Sequence, residues 1–317
     1  MTSFEPLARS SGDALADRRA DYAEMLLQSG DAAAAADLML QAMEIAPGWT
    51  LGWFRLGEMH EAAGQVERAV EAWRMTLALD PDDQAGAGLK LALADAAKPP
   101  ARPPSAFVEA LFDEYASSFD VSLVEKLDYR APELIYQALQ RHAPGRRFGR
   151  AVDLGCGTGL MGEQLRQAVD DLAGYDISAE MLNQAEAKNI YDRLEKADLQ
   201  TIDGSDMRAG LVTAADVFMY LGALEPMFAA VARMLEPGGL FAFSVEAHDG
   251  TEDLILRESR RYAHSEAYLR RLLENAGFEL ASLQRDDIRM DRNQPIQGLI
   301  VVAAKRRPAL AGSHVPV

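Results

Sequence analysis

Apolar and polar positions follow two different patterns along the chain, and the pattern changes near residue 100. From Phe107 onward, stretches with a helical period are separated by short apolar runs. Such alternation is typical of a parallel sheet covered by helices. It predicts a wound α/β domain with strands at 151–154, 172–175, 211–214, 240–245 and 299–303.

The N-terminal part of the chain repeats itself at an offset of 34 residues. Residues 16–49 lie over residues 50–83 without a gap, so that glycines, alanines and prolines coincide. The glycine predicts a break between two helices, and the proline predicts the end of the pair because it lacks an N–H. The amphipathic stretch 84–97 is expected to form a helix that caps the last apolar face.

A 34-residue period with these residue types resembles the tetratricopeptide repeat. The second copy carries Trp53, Leu56 and Gly57 on one face of its first helix, whereas the first copy has Arg19 where an aromatic residue is expected. The resemblance implies an all-α domain of two repeats plus a capping helix, with a short groove. Two uses stay open: the groove binds a partner or substrate, or it packs on the rest of the chain or on a second copy.

A proline-rich stretch separates the two patterns. Four prolines lie within Lys98–Pro104, and such a composition favours an extended spacer. We therefore predict a repeat domain at 1–98, a linker at 99–105, an α/β domain at 106–307 and a flexible tail at 308–317.

Charge and composition narrow the class of protein. The formal net charge is −17, and both parts of the chain are acidic, which disfavours nucleic-acid partners because these are bound mainly through Lys and Arg. No apolar run approaches the ~20 residues of a membrane helix. A single cysteine and an N-terminus without a secretory pattern favour a cytoplasmic protein.

A glycine-rich segment follows the first predicted strand of the α/β domain. It runs from Asp153 through Gly155, Cys156 and Gly157 to Gly159. Glycine allows a sharp turn and the close approach of a ligand. The spacing differs from the Gly-x-Gly-x-x-Gly fingerprint of dinucleotide-binding proteins. Cys156 is interpreted as a small space-filling residue, with the nucleophile as the alternative.

Two further acids follow the next strands. Asp176, followed by Ile177, ends the second strand, where a carboxylate would accept hydrogen bonds from two ribose hydroxyls. Asp198 stands after the next helix, where it would accept the adenine amino group while Leu199 packs on the base. The pattern predicts a nucleoside site.

Together these segments resemble the class I S-adenosylmethionine-dependent methyltransferases, from about residue 107 to residue 306. The resemblance implies a Rossmann-like, seven-stranded fold, with S-adenosylmethionine as cofactor and S-adenosylhomocysteine as product. It implies that the glycine loop holds the methionyl end and that an N-terminal helix contributes an aromatic residue, for which Tyr115 is the candidate. The order of domains resembles bacterial proteins that join tetratricopeptide repeats to a methyltransferase domain.

The candidates for catalysis are Asp216 and His264. Asp216 follows the fourth strand, where it would lie near the transferred methyl, with Tyr220 and Glu246 lining the same opening. His264 would act as a base near neutral pH, and the alternative is a locally hydrogen-bonded histidine. No metal-ligand spacing occurs in the sequence, so no metal is expected.

The sequence supports methyl transfer to a small-molecule or protein acceptor, with the repeats binding a partner or substrate. Because a transferable methyl on a sulfonium is already activated, positioning of the nucleophile dominates such catalysis. The alternative is a binding module that senses S-adenosylmethionine or S-adenosylhomocysteine without turnover. Methylation of nucleic acid is disfavoured by charge.

Overall fold

The computed structural model describes residues 6–119 and 128–307 of the chain. It divides into two compact units. The first comprises Met1–Leu111 with Leu256–Arg260, and the second comprises Phe112–Ile255 with Arg261–Val317. The predicted tail 308–317 lies outside the described residues. The proline-rich stretch 99–105 belongs to the first unit, and the division follows Leu111.

The first unit is built from consecutive helices, each packed on the next. Their bounds are α1 (Ala14–Gln28), α2 (Ala32–Ile45), α3 (Thr50–Ala62), α4 (Val66–Leu79) and α5 (Ala87–Leu93). Helix α6 (Ser105–Tyr115) follows, and the division between the two units falls within it, after Leu111. Asp13 and Asp31 cap α1 and α2 by accepting hydrogen bonds from backbone N–H groups of the first turn. Gly30 and Gly64 connect the paired helices with positive φ angles of 91° and 71°. The all-helical N-terminal region expected from the sequence is therefore present.

The contact between α3 and α4 explains one glycine of the repeat. Trp73 on α4 is 1% exposed. A Cβ atom at residue 57 would lie 2.5 Å from Cδ1 of the Trp73 indole. Gly57 therefore gives the ring the space in which it is buried. At the corresponding position of the first copy, Ala23 is completely buried.

A segment from the second half of the sequence completes the first unit. The Arg260 guanidinium lies over the rings of Phe54 and Phe107, 5.6 and 4.8 Å from their centroids. It also donates a hydrogen bond to the Ala85 carbonyl at 2.9 Å. Stacking of a guanidinium on aromatic faces is favourable by about 0.5–2 kcal/mol each. No local pattern in the sequence predicts this segment as part of the helical unit.

The second unit is a layered α/β structure. Its strands are β1 (Phe148–Leu154), β2 (Val169–Asp176), β3 (Arg193–Lys196), β4 (Ala209–Ala214), β5 (Leu235–Ala247), β6 (Leu254–Leu256), β7 (Tyr262–His264), β8 (Phe278–Asp291) and β9 (Gln294–Lys305). Its helices are α7 (Ala131–His142), α8 (Leu160–Leu165), α9 (Ala179–Ala187), α10 (Glu225–Met234) and α11 (Glu266–Asn275). Two apolar clusters cover the two faces of the sheet.

The central sheet is mostly parallel and Rossmann-like. Strands β3, β2, β1, β4 and β5 are neighbours in that order and run parallel. The order reverses beside β1, which is where open α/β sheets bind ligands. β9 pairs antiparallel with β5, and β8 pairs antiparallel with β9.

Each of the five strands predicted from the sequence coincides with an observed strand. The described residues contain nine strands in this sheet rather than seven, because the short β6 and β7 are added near the end of β5. In the described parts of the chain, no helix has both the length and the apolar character required to cross a membrane.

We predict that Gly57→Ala destabilises the first unit, because the added methyl group collides with the Trp73 ring. Overpacking of this kind costs about 1–3 kcal/mol. All three tryptophans, at 49, 53 and 73, belong to the first unit. Urea unfolding monitored by tryptophan fluorescence therefore reports selectively on the stability of this unit. Gly48→Ala is the matched control, because a Cβ there meets nothing within 4 Å. Equal midpoints for the two variants would contradict the prediction.

Candidate functional site

The glycine loop lies at the carboxyl end of β1 and leads into α8. Gly155, Gly157 and Gly159 all have positive φ angles, of 64°, 53° and 96°. At Gly155 a Cβ would lie 2.5 Å from Val217, so the loop packs tightly there. Among residues 6–119 and 128–307, a Cβ at Gly157 would meet only the Phe119 ring, at 3.9 Å. With respect to these residues the backbone is open at Gly157, where a ligand could approach it closely.

Asp176 ends β2 directly beside this loop. Its side chain accepts hydrogen bonds from the backbone N–H groups of Gly157 at 2.8 Å and Ser178 at 2.9 Å. The residue is 7% exposed, and burial raises the pKa of its carboxyl group to about 6, against the effect of these N–H donors. Ile177, the next residue, is half-buried. The predicted contact of Asp176 with a ribose stays a prediction.

Asp153, in contrast, is enclosed by protein. Its two carboxylate oxygens accept hydrogen bonds from the hydroxyls of Tyr191 at 2.7 Å and Thr213 at 2.8 Å. It is 1% exposed, and burial raises the pKa of this carboxyl group to about 6. Asp153 thus joins β1 to β4 and to the loop before β3. Its predicted contact with the cofactor stays a prediction.

The third acid follows β3. Asp198 is half-buried and accepts a hydrogen bond from the Gln200 N–H at 2.8 Å, which fixes the start of a turn. Leu199 is 7% exposed and belongs to the apolar cluster on one face of the sheet. Because β1, β2 and β3 are parallel neighbours, the glycine loop, Asp176 and Asp198 follow one edge of the sheet in the order that the sequence predicts.

The aromatic rings near the glycine loop are not the predicted one. Tyr115 is 52% exposed, whereas the Phe112 ring contacts Tyr220 edge-on at 5.0 Å and lies 6.2 Å from the Phe119 ring. Asp113 holds this segment to the Asp176 loop by accepting a hydrogen bond from the Ser178 hydroxyl at 2.5 Å. Phe112 and Phe119 are seven residues apart in the sequence, which is about two turns of a helix. This spacing could have indicated that the two rings share a face.

Asp216 follows β4 and has a positive φ angle of 59°. Its two oxygens accept hydrogen bonds from Nη1 of Arg289 at 2.5 and 2.6 Å, and the other terminal nitrogen of Arg289 pairs with Glu246. Arg261 contacts Glu246 at 3.0 Å and hydrogen-bonds Tyr220. Burial raises the pKa of Asp216, although Arg289 opposes the shift.

The residues predicted to share one opening, Asp216, Tyr220 and Glu246, are thus connected by two arginines. Sequence reasoning missed both arginines as site residues. Arg289 lies two residues before the end of the 14-residue strand β8, and no local motif distinguishes it from a surface residue.

His264 is completely buried at the end of β7. Its Nε2 pairs with the Gly222 carbonyl at 2.7 Å, and its ring stacks on Tyr268. Burial lowers the pKa of His264 to about 4, so the imidazole is neutral near pH 7. Its predicted role as a base stays untested, and this pKa makes it a weak one.

The remaining candidates concern thiol and metal chemistry. Cys156 is a buried free thiol whose pKa burial raises well above its ordinary value, so the unreactive thiol form predominates. Its sulfur fills space against Gly174, where a Cβ would lie 2.9 Å away. Within residues 6–119 and 128–307, no group of three His, Cys, Asp or Glu side chains is arranged to hold a metal ion.

A family model described as a methyltransferase domain matches residues 125–283, which is half of the chain. The chain belongs to this methyltransferase-domain family. The match covers β1 to β7 and the glycine loop, so Asp153, Asp176 and Asp198 lie within the methyltransferase domain.

Curated relatives share part of this domain. The chain is 29% identical over 144 residues to the malonyl-[acyl-carrier protein] O-methyltransferase of Enterobacter lignolyticus, covering 45% of this chain and 57% of that protein. It is 34% identical over 122 residues to the trans-aconitate 2-methyltransferase of Deinococcus radiodurans, covering 37% of this chain and 46% of that protein. The chain thus spans about half the length of these relatives.

Two further matches concern the fold and a different class of protein. A putative methyltransferase of Haloferax volcanii, solved with its Trm112 activator, is 19% identical, with a TM-score of 0.51 over 64% of this chain and 99% of that one. The chain is also 36% identical over 121 residues to the Hsp70-Hsp90 organizing protein of Triticum aestivum, covering 34% of this chain and 20% of that protein.

The edge formed by β1, β2 and β3 fits S-adenosylmethionine. Gly157 leaves its backbone open toward the described residues, and Asp176 presents a buried carboxylate that accepts hydrogen bonds from backbone N–H groups, including those of Gly157 and Ser178. Ribose hydroxyls would add O–H donors to a desolvated carboxylate, which is a favourable exchange. Asp198 comes two residues after β3, the strand next to β2, and its contact with the adenine stays a prediction.

We predict that affinity for S-adenosylhomocysteine falls with pH below about 6. A ribose whose hydroxyls donate to Asp176, as the sequence predicts, would need the ionised carboxylate, and burial raises the pKa of that carboxyl group to about 6. Protons then compete with the ligand, so the dissociation constant should rise about tenfold from about pH 7.5 to about pH 5. Calorimetric titration at both pH values measures this.

Asp176→Asn should bind weakly at both pH values and lose most of the pH dependence. Asp170→Asn, at an exposed acid of the same strand, is the control and should behave as the wild type. A pH-independent affinity in the wild type would show that Asp176 does not accept hydrogen bonds from the ligand.

Proposed function

We propose that the protein catalyses S-adenosylmethionine-dependent methyl transfer to a small-molecule or protein acceptor. The observation that carries the proposal is the buried Asp176 carboxylate beside the open backbone of Gly157, at the reversal point of the sheet. Membership of the methyltransferase-domain family supports it. So do two relatives whose names give malonyl-acyl-carrier protein and trans-aconitate as the molecules they methylate.

In this proposal the cofactor supplies an activated methyl group on a sulfonium. Asp176 accepts the ribose hydroxyls, Asp198 and Leu199 bind the adenine, and the glycine loop lies against the methionyl end. Asp216 and Tyr220 border the acceptor side, and the network of Arg289 and Glu246 holds Asp216 still. Positioning of this kind contributes on the order of 7–11 kcal/mol to a bimolecular step.

The experiment incubates the full-length protein with methyl-labelled S-adenosylmethionine and, in turn, malonate, trans-aconitate, malonyl-acyl-carrier protein and fractionated cell extract. We expect labelled product, and we expect Asp176→Ala to reduce the rate at least 100-fold, a loss of about 2.7 kcal/mol or more in transition-state binding. Asp170→Ala is the control. Tight cofactor binding without labelling of any acceptor would favour a sensor that recruits partners without turnover.

We further propose that the helical unit is a pair of tetratricopeptide repeats that binds a partner or substrate. Its support is the 34-residue offset between the ends of α2 at Ile45 and α4 at Leu79, and between Gly30 and Gly64. The partial similarity to an Hsp70-Hsp90 organizing protein agrees with a partner-binding role. Tyr22 and Met25 on α1 are 56% and 61% exposed, which makes them candidates for that contact.

If the repeats present a protein acceptor, the double variant Tyr22→Ser, Met25→Ser should reduce labelling of the protein fraction of an extract several-fold. Its affinity for S-adenosylhomocysteine and its labelling of small acids should not change, because the substituted residues are exposed in the other unit. Leu40→Ser, on α2, is the control for a surface apolar change. Undiminished protein labelling would exclude these two residues from acceptor binding.

A further inference from the structure

Five charged side chains form a connected network at the carboxyl ends of β4 and β5. Arg289 pairs with Asp216 and Glu246, and Arg261 pairs with Glu246 and Asp291. The three acids and two arginines leave one net negative charge in a mostly buried group. Because a buried charge without a partner is strongly destabilising, each arginine retains two carboxylate neighbours.

The two arginines differ in how far solvent reaches their partners. The Arg289 side chain is 3% exposed, and its partners Asp216 and Glu246 are 14% and 0% exposed. The Arg261 side chain is 17% exposed, and its partner Asp291 is 30% exposed. Arg289 is therefore enclosed, whereas the pair of Arg261 with Asp291 is the one that an external anion could reach.

Asp291 is also placed where it could leave Arg261. It is the last residue of β8, and the two residues of the following turn, Arg292 and Asn293, have positive φ angles of 48° and 62°. A carboxylate that departs from this hairpin end returns to water, so its desolvation cost is recovered. Asp291 shows that the geometry at Arg261 accepts a carboxylate.

A chain of side-chain contacts connects Arg261 to the glycine loop. It hydrogen-bonds Tyr220, whose ring contacts Phe112 at 5.0 Å. Phe112 in turn contacts Phe119, the ring nearest to the open position at Gly157. A group bound to Arg261 is thus separated from the glycine loop by a short chain of aromatic contacts.

The chemistry of the site also favours an acceptor that has no proton to lose. Burial lowers the pKa of His264 to about 4, and its Nε2 is held by the Gly222 carbonyl. Both oxygens of Asp216 are engaged by Arg289. Amine, phenol and thiol acceptors require a base in the course of transfer, whereas a carboxylate is already ionised near pH 7.

We propose that the methyl acceptor is a carboxylic acid and that Arg261 binds its reacting carboxylate in place of Asp291. This inference rests on the proposed methyltransferase function. A carboxylate oxygen attacks the methyl carbon, the new C–O bond forms as the S–C bond breaks, and the electron pair passes to sulfur. The products are a methyl ester and S-adenosylhomocysteine, with no proton released. Because the ester carries no charge, it no longer pairs with Arg261. Asp291 then forms its ion pair with Arg261 again, and the product leaves.

The test is calorimetric binding of malonate, succinate and benzoate to the full-length protein saturated with S-adenosylhomocysteine. We expect at least one of these acids to bind with a dissociation constant below about 10 mM. Asp291→Asn should bind that acid about five- to tenfold more tightly, because the resident competitor has lost its charge. This gain of affinity is a result that a purely structural role of Asp291 would not produce.

Arg261→Gln should weaken binding of the same acid at least tenfold. Arg261→Lys should bind it with intermediate affinity, because lysine keeps the positive charge but lacks the planar guanidinium that can pair with both carboxylate oxygens. Arg270→Gln, at an exposed ion pair of α11, is the matched control. Binding of S-adenosylhomocysteine but of no acid, or equal acid binding by wild type and Arg261→Gln, would overturn the inference alone. Failure of S-adenosylhomocysteine to bind would overturn the proposed function as well.

Discussion

Burial of carboxylates at the edge of a parallel sheet is the constraint on which the second unit depends. A desolvated carboxylate needs donors, and the kind of donor decides what else the side chain can do. Hydroxyls of Tyr191 and Thr213 enclose Asp153, which joins strands. Backbone N–H groups support Asp176, which keeps room for further donors. Arg289 immobilises Asp216. Similar acids at neighbouring strand ends therefore have different roles.

The different donors of these carboxylates suit different steps of the proposed reaction. A nucleoside offers hydroxyl donors, so a carboxylate with backbone donors suits the cofactor side. Transfer of a methyl group from a sulfonium cation to a carboxylate neutralises both charges, so the charge separation present in the reactants is lost on the way to the products. In a site with little water, two opposite charges attract more strongly than in bulk solvent. Enclosure by Phe112, Tyr220 and the arginine pairs thus suits transfer to an anion.

The parts of this structure that sequence predicted are those with a local signal. Alternating apolar runs gave the positions of β1, β2, β4, β5 and β9, and the glycine loop and Asp176 follow strands along one edge, as expected. The short β6 and β7 carry too few residues for a periodic signal. Arg289 and Arg261 acquire their partners through pairing of segments far apart in sequence, so no local pattern identifies them. The motif predicts Tyr115 as the aromatic residue near the cofactor. In the structure Tyr115 is exposed, and the neighbouring Phe112 contacts Tyr220.

The helical unit illustrates the same limit at the level of domains. A boundary at residue 98 follows from the composition of the chain, yet the compact unit includes Phe107 and the segment Leu256–Arg260. Arg260 covers Phe54 and Phe107, so a fragment ending at the proline-rich stretch would lose both Phe107 and the arginine and would expose Phe54, which is 6% exposed in the full chain. Arg261, the next residue, belongs to the second unit and pairs with Glu246. One peptide bond therefore joins an anchor of the helical unit to the arginine of the proposed acceptor site, and a fragment that ends before residue 260 lacks both sets of contacts.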